Sequence, residues 1–162
     1  MVQETISSAV LIIAAIIATV VLVNAIYPSL FRTTDTVGSV SDTANNRVNT
    51  ELKVAMTSQP NATSLSAWVK NVGSVEIPAA RMAYTDVYFG DPGSMARADS
   101  AGSAAYHWSY TLDDVDGDGD WGPGETARFL ITDAAASHLT AGTHDLKIVL
   151  YNSASADEAV TI

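Results

Sequence analysis

Between Thr5 and Phe31 the chain carries no charged residue, and Ala9 to Tyr27 (AVLIIAAIIATVVLVNAIY) is apolar apart from Thr19 and Asn24. At about 1.5 Å of rise per residue a helix over this stretch reaches roughly 28 Å, close to the hydrocarbon thickness of a bilayer. A run so long and uncharged is a poor fit to the one-sided helix of a soluble core. It needs lipid or other apolar helices around it.

The sequence beyond this run is rich in Ser, Thr and Ala, acidic, and free of a second hydrophobic segment. Residues 1–27 therefore read as a transmembrane or filament-core helix, 28–49 as a stalk helix or linker, and 50–162 as one extracellular β-sandwich domain of ordinary size. Eight Lys and Arg stand against eighteen Asp and Glu, a net charge of −10 that lies almost wholly beyond residue 32. Such a surface repels nucleic acid and anionic head groups. With no cysteine in the chain, disulfides, thiolate metal sites and thiol nucleophiles are excluded.

A cleaved secretory signal needs a basic n-region and a small-residue cleavage site. MVQET offers Glu4 and no Lys or Arg, and the exit Asn24-Ala-Ile-Tyr-Pro is a poor cleavage site, so a retained anchor or filament-core helix is the better reading. Taken literally, Arg32 after the helix places the domain in the cytoplasm. Against that single Arg beside Asp35 stand the Ser/Thr-rich acidic β-type domain and the sequon Asn61-Ala-Thr63, both at home outside the cell.

Proline at Tyr27-Pro28 predicts that the hydrophobic helix bends or stops there. Beyond it Leu30, Val37, Val40, Ala44, Val48 and Leu52 form a thin apolar stripe at helical spacing, weakened by Gly38. It reads as a stalk leaning on the domain or as a seam against other copies.

From residue 50 the period changes to two. Alternation marks ELKVAMT (Leu52, Val54, Met56), SLSAWVKN (Leu65, Ala67, Val69), MAYTDVYF (Met82, Tyr84, Phe89), AYHWSYT from Ala105, TARFLIT from Thr126, DLKIVLYN from Asp145 and the terminal Ala159 to Ile162. Turn clusters separate them: Gln59-Pro-Asn, Asn71-Val-Gly-Ser, Gly90-Asp-Pro-Gly-Ser, an Asp/Gly run and Thr140-Ala-Gly-Thr. Seven or so short strands at this spacing predict an antiparallel β-sandwich, with Ser94–Ser103 as a loop.

The most specific local signal is DDVDGDGDWGPGE, Asp113 to Glu125. With Asp114 as position one, Asp116 and Asp118 fall at three and five, Gly119 at six, Asp120 at seven and Glu125 at twelve, satisfying the calcium-loop pattern. Alternate carboxylates in a tight loop converge on one hard cation, so Asp114, Asp116, Asp118, Asp120 and Glu125 are candidate Ca2+ ligands. The frame is unlike an EF-hand, because the flanks read as strands and Pro123 sits inside the loop. A solvated acidic hairpin turn is the competing reading, since Asp-Gly pairs are also preferred turn residues.

His107, His138 and His144 match no metal-ligand spacing. No G-x-S-x-G elbow or phosphate-cradling glycine loop occurs, and Asp86 would serve as an acid only if buried with a partner. The chain reads as a non-enzyme. Trp68, Trp108, Trp121 and the six tyrosines fit a sandwich core or cross-strand pairs, with a sugar- or protein-binding face as the alternative.

Taken together, the start MVQETISSAVLIIAAIIATVVLVNAI, the Ser/Thr-rich stalk, Trp68-Val-Lys-Asn-Val-Gly-Ser74, Asp86-Val-Tyr-Phe, Asp120-Trp-Gly-Pro-Gly-Glu-Thr126 and Gly142-Thr-His-Asp-Leu-Lys-Ile-Val resemble archaellum components G and F and the archaellin-like, type IV pilin-like proteins around them. Component G is the nearer through the ETIS start and the VKNVG strand. The resemblance implies an archaeal envelope protein with an immunoglobulin-like domain in the pseudoperiplasm or at the surface layer. It implies a stationary anchor of the rotary filament, holding to other archaellum subunits and to the surface-layer protein. Polymerising relatives carry a basic residue before the hydrophobic segment for prepilin processing. None precedes it here, which favours an anchor over a filament subunit if Met1 is the genuine start.

Overall fold

The computed structural model describes residues 2–100, 104–135 and 139–162, with the side chains of the opening helix described over 6–28, at 41 and over 44–49. That helix, α1, runs without interruption over Val2–Asn49, 48 residues with Pro28 inside. The helix continues through Pro28, where the sequence suggested that it bends or stops. Proline removes one amide donor, and long apolar helices accept the loss where neighbouring groups re-satisfy the freed carbonyl. Ile6–Pro28 has a mean hydropathy of 2.9 and none of it is buried. Its large apolar side chains stand between 46% exposed (Ile26) and 70% exposed (Leu11), with consecutive residues such as Ile12, Ile13, Ile16 and Ile17 open alike. The Thr19 hydroxyl donates to the Ala15 carbonyl at 2.8 Å, so its polarity is satisfied within the helix.

The chain divides into two units, Met1–Thr43 and Ala44–Ile162. The second is built from β1 Leu52–Asn61, β2 Ser64–Asn71, the short helix α2 Ala79–Met82, β3 Asp86–Asp91, β4 Ser94–Ala98, β5 Tyr106–Asp113, β6 Thr126–Asp133, β7 Thr143–Val149 and β8 Ser155–Thr161. They form two four-stranded sheets, in the orders β1-β2-β6-β5 and β4-β3-β7-β8, with every pairing antiparallel. In immunoglobulin lettering these orders are A-B-E-D and C′-C-F-G, so the expected immunoglobulin-like sandwich is what forms.

Alternation explains the core. Leu65, Ala67 and Val69 of β2, Ala127, Phe129 and Ile131 of β6, Val87 and Phe89 of β3, and Leu146 and Ile148 of β7 are all buried. Trp121 and Trp108 join them, Trp121 lying 6.1 Å from Phe129 and Trp108 5.8 Å, ring centre to ring centre. Trp68 is half-buried. Each such large apolar side chain contributes about 1.5–3 kcal/mol when withdrawn from water.

Four local expectations differ from what forms. The turn at Gln59-Pro-Asn is strand: β1 continues to Asn61, and Pro60 is tolerated because β1 is an edge strand. The run MAYTDVYF begins as α2, with Tyr84 and Thr85 amides donating back to Arg81 and Met82, and strand geometry starts only at Asp86. Ser94–Ala98 is strand β4 rather than loop. It pairs with β3 across the turn Pro92-Gly93, where Gly93 takes φ 81°, the positive value that follows a turn-opening proline. In the apolar stripe, Leu52 departs from the helix and belongs to β1 and the sandwich core, Ala44 and Val48 are exposed, and the side chains of Leu30, Val37 and Val40 lie outside the described residues.

Candidate functional site

The end of the sandwich at which β1 begins carries a loop system organised by Asn71. This side chain is fully buried. Its amide donates to the carbonyls of Val75 at 2.9 Å and Trp121 at 3.1 Å, and its oxygen accepts from the Gly73 amide at 3.1 Å. Its backbone exchanges hydrogen bonds with Glu125 and Gly124. The segments VKNVG and DWGPGE, fifty positions apart in sequence, are thus one structural unit, closed further by the reciprocal pairing of Ile77 with Trp121. Within the same unit the Ser74 amide donates to the Asn49 carbonyl, and the Asn152 amide donates to Thr50 Oγ1 at 2.9 Å, fixing the last turn of α1 to the sandwich.

The acidic loop lies on this frame. Asp114, Asp116 and Asp118 each present a carboxylate oxygen within 4.8 Å of the others, the span of oxygens around one ion at Ca–O distances of about 2.3–2.6 Å. The loop shapes itself by its own amides: Asp114 accepts from Gly117 at 2.7 Å and Gly119 at 2.9 Å, and Asp118 accepts from Asp120 at 2.8 Å. Gly117 and Gly119 both take positive φ, which the tight turn requires.

The other two candidate ligands are placed differently. Asp120 turns away and accepts from the Ala79 amide at 2.8 Å. Glu125 is buried, and its two oxygens accept from the amides of Val115 at 2.7 Å and Gly122 at 2.8 Å. It braces the loop from inside instead of standing with the three aspartates. Glu76 was invisible to the calcium pattern, because it sits between β2 and α2. The charge of Asp118, then a hydrogen bond with Asp120, raise its pKa above the ordinary value. For Asp116 the Asp118 amide pulls downward, but desolvation and the carboxylates of Asp118, Glu125 and Asp114 outweigh it and the pKa is raised.

The remaining candidates are quickly placed. Asp86 is partly exposed and accepts from Arg97 Nε at 2.7 Å, an ion pair across β3 and β4. His107 is half-buried on β5 and His144 is buried on β7, whereas His138 lies outside the described residues.

Comparison with known proteins decides the family. Residues 3–157 match the archaeal-type flagellin family. The chain belongs to that family. Membership makes it an archaellum-related structural component. A similar full-length relative is an uncharacterised protein of Archaeoglobus fulgidus, 26% identical and covering 98% of each chain. Among solved structures, the archaellum periplasmic stator protein FlaG from Sulfolobus acidocaldarius has a similar fold, with a TM-score of 0.58 and 20% identity over 68% of this chain and 99% of that one. The archaeal flagellum of Methanospirillum hungatei strain JF1 has a TM-score of 0.67 and 16% identity, covering 97% of this chain and 92% of that one.

Proposed function

We propose that the chain is a non-enzymatic structural component of an archaellum-type apparatus, held by its N-terminal helix and contacting other subunits or the envelope through its sandwich. The observation that carries this is the exposed girdle of apolar side chains on Ile6–Pro28. Only lipid or other apolar helices can cover it. The sandwich stands in the pseudoperiplasm or outside the cell, where the surface-layer protein and neighbouring archaellum subunits are its partners. Family membership supports a structural role.

A second reading is favoured by one observation, the likeness to the Methanospirillum hungatei flagellum over helix and sandwich together, 97% of this chain. In that reading the same helix packs into a filament core. Electron microscopy of the purified chain separates the two. Dispersed particles in detergent support the anchor, and long filaments with helical cores replace it with the polymerising subunit.

The reading extends to the acidic loop, where the convergence of Asp114, Asp116 and Asp118 supports a bound Ca2+ with Glu125 bracing the loop. Calorimetry with calcium on the full chain tests it. No heat and no melting shift at millimolar calcium removes the ion.

A further inference from the structure

At the opposite end of the sandwich, a cleft of about 520 Å³ opens between the β3–β4 hairpin and the entry to β7, lined among others by Asp91, Tyr106, Asp133, Thr140 and His144. Its position follows from register: Gly90 pairs with Asp145, which brings Asp91 beside His144. The His144 side chain is only 6% exposed and rests against Phe89, ring centres 5.4 Å apart. Its Nε2 lies 2.8 Å from the Thr140 carbonyl oxygen. A carbonyl can only accept, so Nε2 carries the hydrogen, and in the neutral ring Nδ1 is the bare lone pair.

That lone pair is buried and has no hydrogen-bond partner among the described residues, yet Asp91 Oδ1 is 3.1 Å away. The carboxylate is near but stands aside from the direction in which Nδ1 points, so it does not complete a hydrogen bond. Two electron-rich atoms at this distance repel unless a proton or a metal ion lies with them, and a carboxylate off the Nδ1 axis is badly placed to share a proton. The arrangement is that of two ligands sharing one ion: donors at about 2.0–2.1 Å from a tetrahedral zinc are about 3.3 Å apart, and neither lies on the other's bond axis. The second ring nitrogen of a metal-bound histidine is ordinarily held by a carbonyl or carboxylate, the role Thr140 plays here. The field of the cleft is also negative. Burial first, then Asp133 and Asp91, raise the Tyr106 pKa.

We propose that His144 Nδ1 and the Asp91 carboxylate form a binding site for a divalent transition-metal ion of the zinc type, separate from the acidic loop. Two protein ligands leave the remaining positions to water or an incoming donor. The ion ties the β3–β4 hairpin to the start of β7.

The test is a Zn2+ titration of the full chain in detergent micelles by calorimetry, beside Asp91→Asn, His144→Gln and a control Asp116→Asn. Asp91 is largely exposed, so its variant keeps the fold even if the His144 variant does not. Losing an outer partner of a metal ligand already weakens binding about 10- to 100-fold, and losing the ligand costs no less. The expected result is one Zn2+ per chain, weakened about tenfold or more by Asp91→Asn and unmoved by Asp116→Asn. Nitrogen-15 spectra of the ring should show Nδ1 shifting on zinc addition. Equal zinc binding by Asp91→Asn and the native chain overturns the site. So does a ring that carries protons on both nitrogens at neutral pH and ignores zinc, which makes the pair an ordinary ion pair.

Discussion

The buried amide of Asn71 donates to the carbonyl of Trp121 at 3.1 Å across fifty positions of sequence. The same side chain caps the loop that follows β2 through Val75 and Gly73. Replacing it by Leu removes three hydrogen bonds, each worth about 0.5–1.5 kcal/mol net; the Trp121 carbonyl keeps the Ile77 amide and the Gly73 amide keeps the Glu51 carbonyl, whereas the Val75 carbonyl loses its side-chain donor. Asn71→Leu is expected to destabilise the sandwich by about 3 kcal/mol, read as a lower urea midpoint with an unchanged slope.

Gly73 is required for a different reason. A Cβ placed there would overlap the Asn49 carbonyl oxygen and stand 2.6 Å from the Glu51 nitrogen. These are backbone atoms that cannot step aside cheaply. Gly73→Ala should cost about 1–3 kcal/mol, in the range of overpacking, and should loosen protection of the Ser74 amide in hydrogen exchange. Gly93→Ala is the comparison: nothing obstructs a Cβ there, and only the positive φ of 81° opposes it, at a cost of about 1 kcal/mol.

Glu76 and Asp116 make stability depend on pH with an unusual sign for carboxylates. Both pKa values are raised in the folded protein, so the native state holds these protons more tightly than the unfolded chain. Their contribution is fully present below the unfolded values, about 4, and is lost as pH rises through the higher folded values. Glu76→Gln and Asp116→Asn should therefore raise the urea midpoint at neutral pH in chelator and low salt. The gain should vanish near about pH 3 and fade in about 1 M salt, where the screening length is about 3 Å.

How much of this was legible in the chain depended on where each signal lived. β2 and β6 were readable almost to the residue, because Leu65, Ala67, Val69 and Ala127, Phe129, Ile131 alternate into one core. β4 was not, since Ser94–Ala98 lies at a sheet edge and is held by main-chain bonds to β3, which leave no apolar alternation. α2 is a single turn of four residues, shorter than any periodic signal. The acidic loop announced itself by spacing, but spacing cannot say that Glu125 turns inward to Val115 and Gly122. Glu76 and the His144–Asp91 pair arise only from tertiary register.

Glu125 gives the acidic loop a test that separates bracing from ligation. Because its two oxygens accept the amides of Val115, part-buried, and Gly122, buried, Glu125→Ala should destabilise the sandwich by about 2–3 kcal/mol with or without calcium. Asp114→Asn should reduce the calcium-dependent gain in melting temperature instead. A calcium response abolished by Glu125→Ala at unchanged metal-free stability would make Glu125 a ligand after all.

The exposed apolar helix yields the prediction with most bearing on function. Ile17 lies near the middle of Ile6–Pro28, and a lysine at the centre of a membrane-spanning helix costs about 2.5–3.5 kcal/mol. Ile17→Lys should reduce cofloatation of the full chain with lipid vesicles. It should leave unfolding followed by tryptophan fluorescence unchanged, because Trp68, Trp108 and Trp121 all belong to the unit Ala44–Ile162. Ala18→Ile asks the finer question. It preserves hydrophobicity, so insertion into lipid should persist, but it removes a small residue that allows close helix approach. If the helix is an anchor, Ala18→Ile behaves as the native chain in every assay. If it builds a filament core, the same substitution abolishes filaments seen by electron microscopy while vesicle binding is retained.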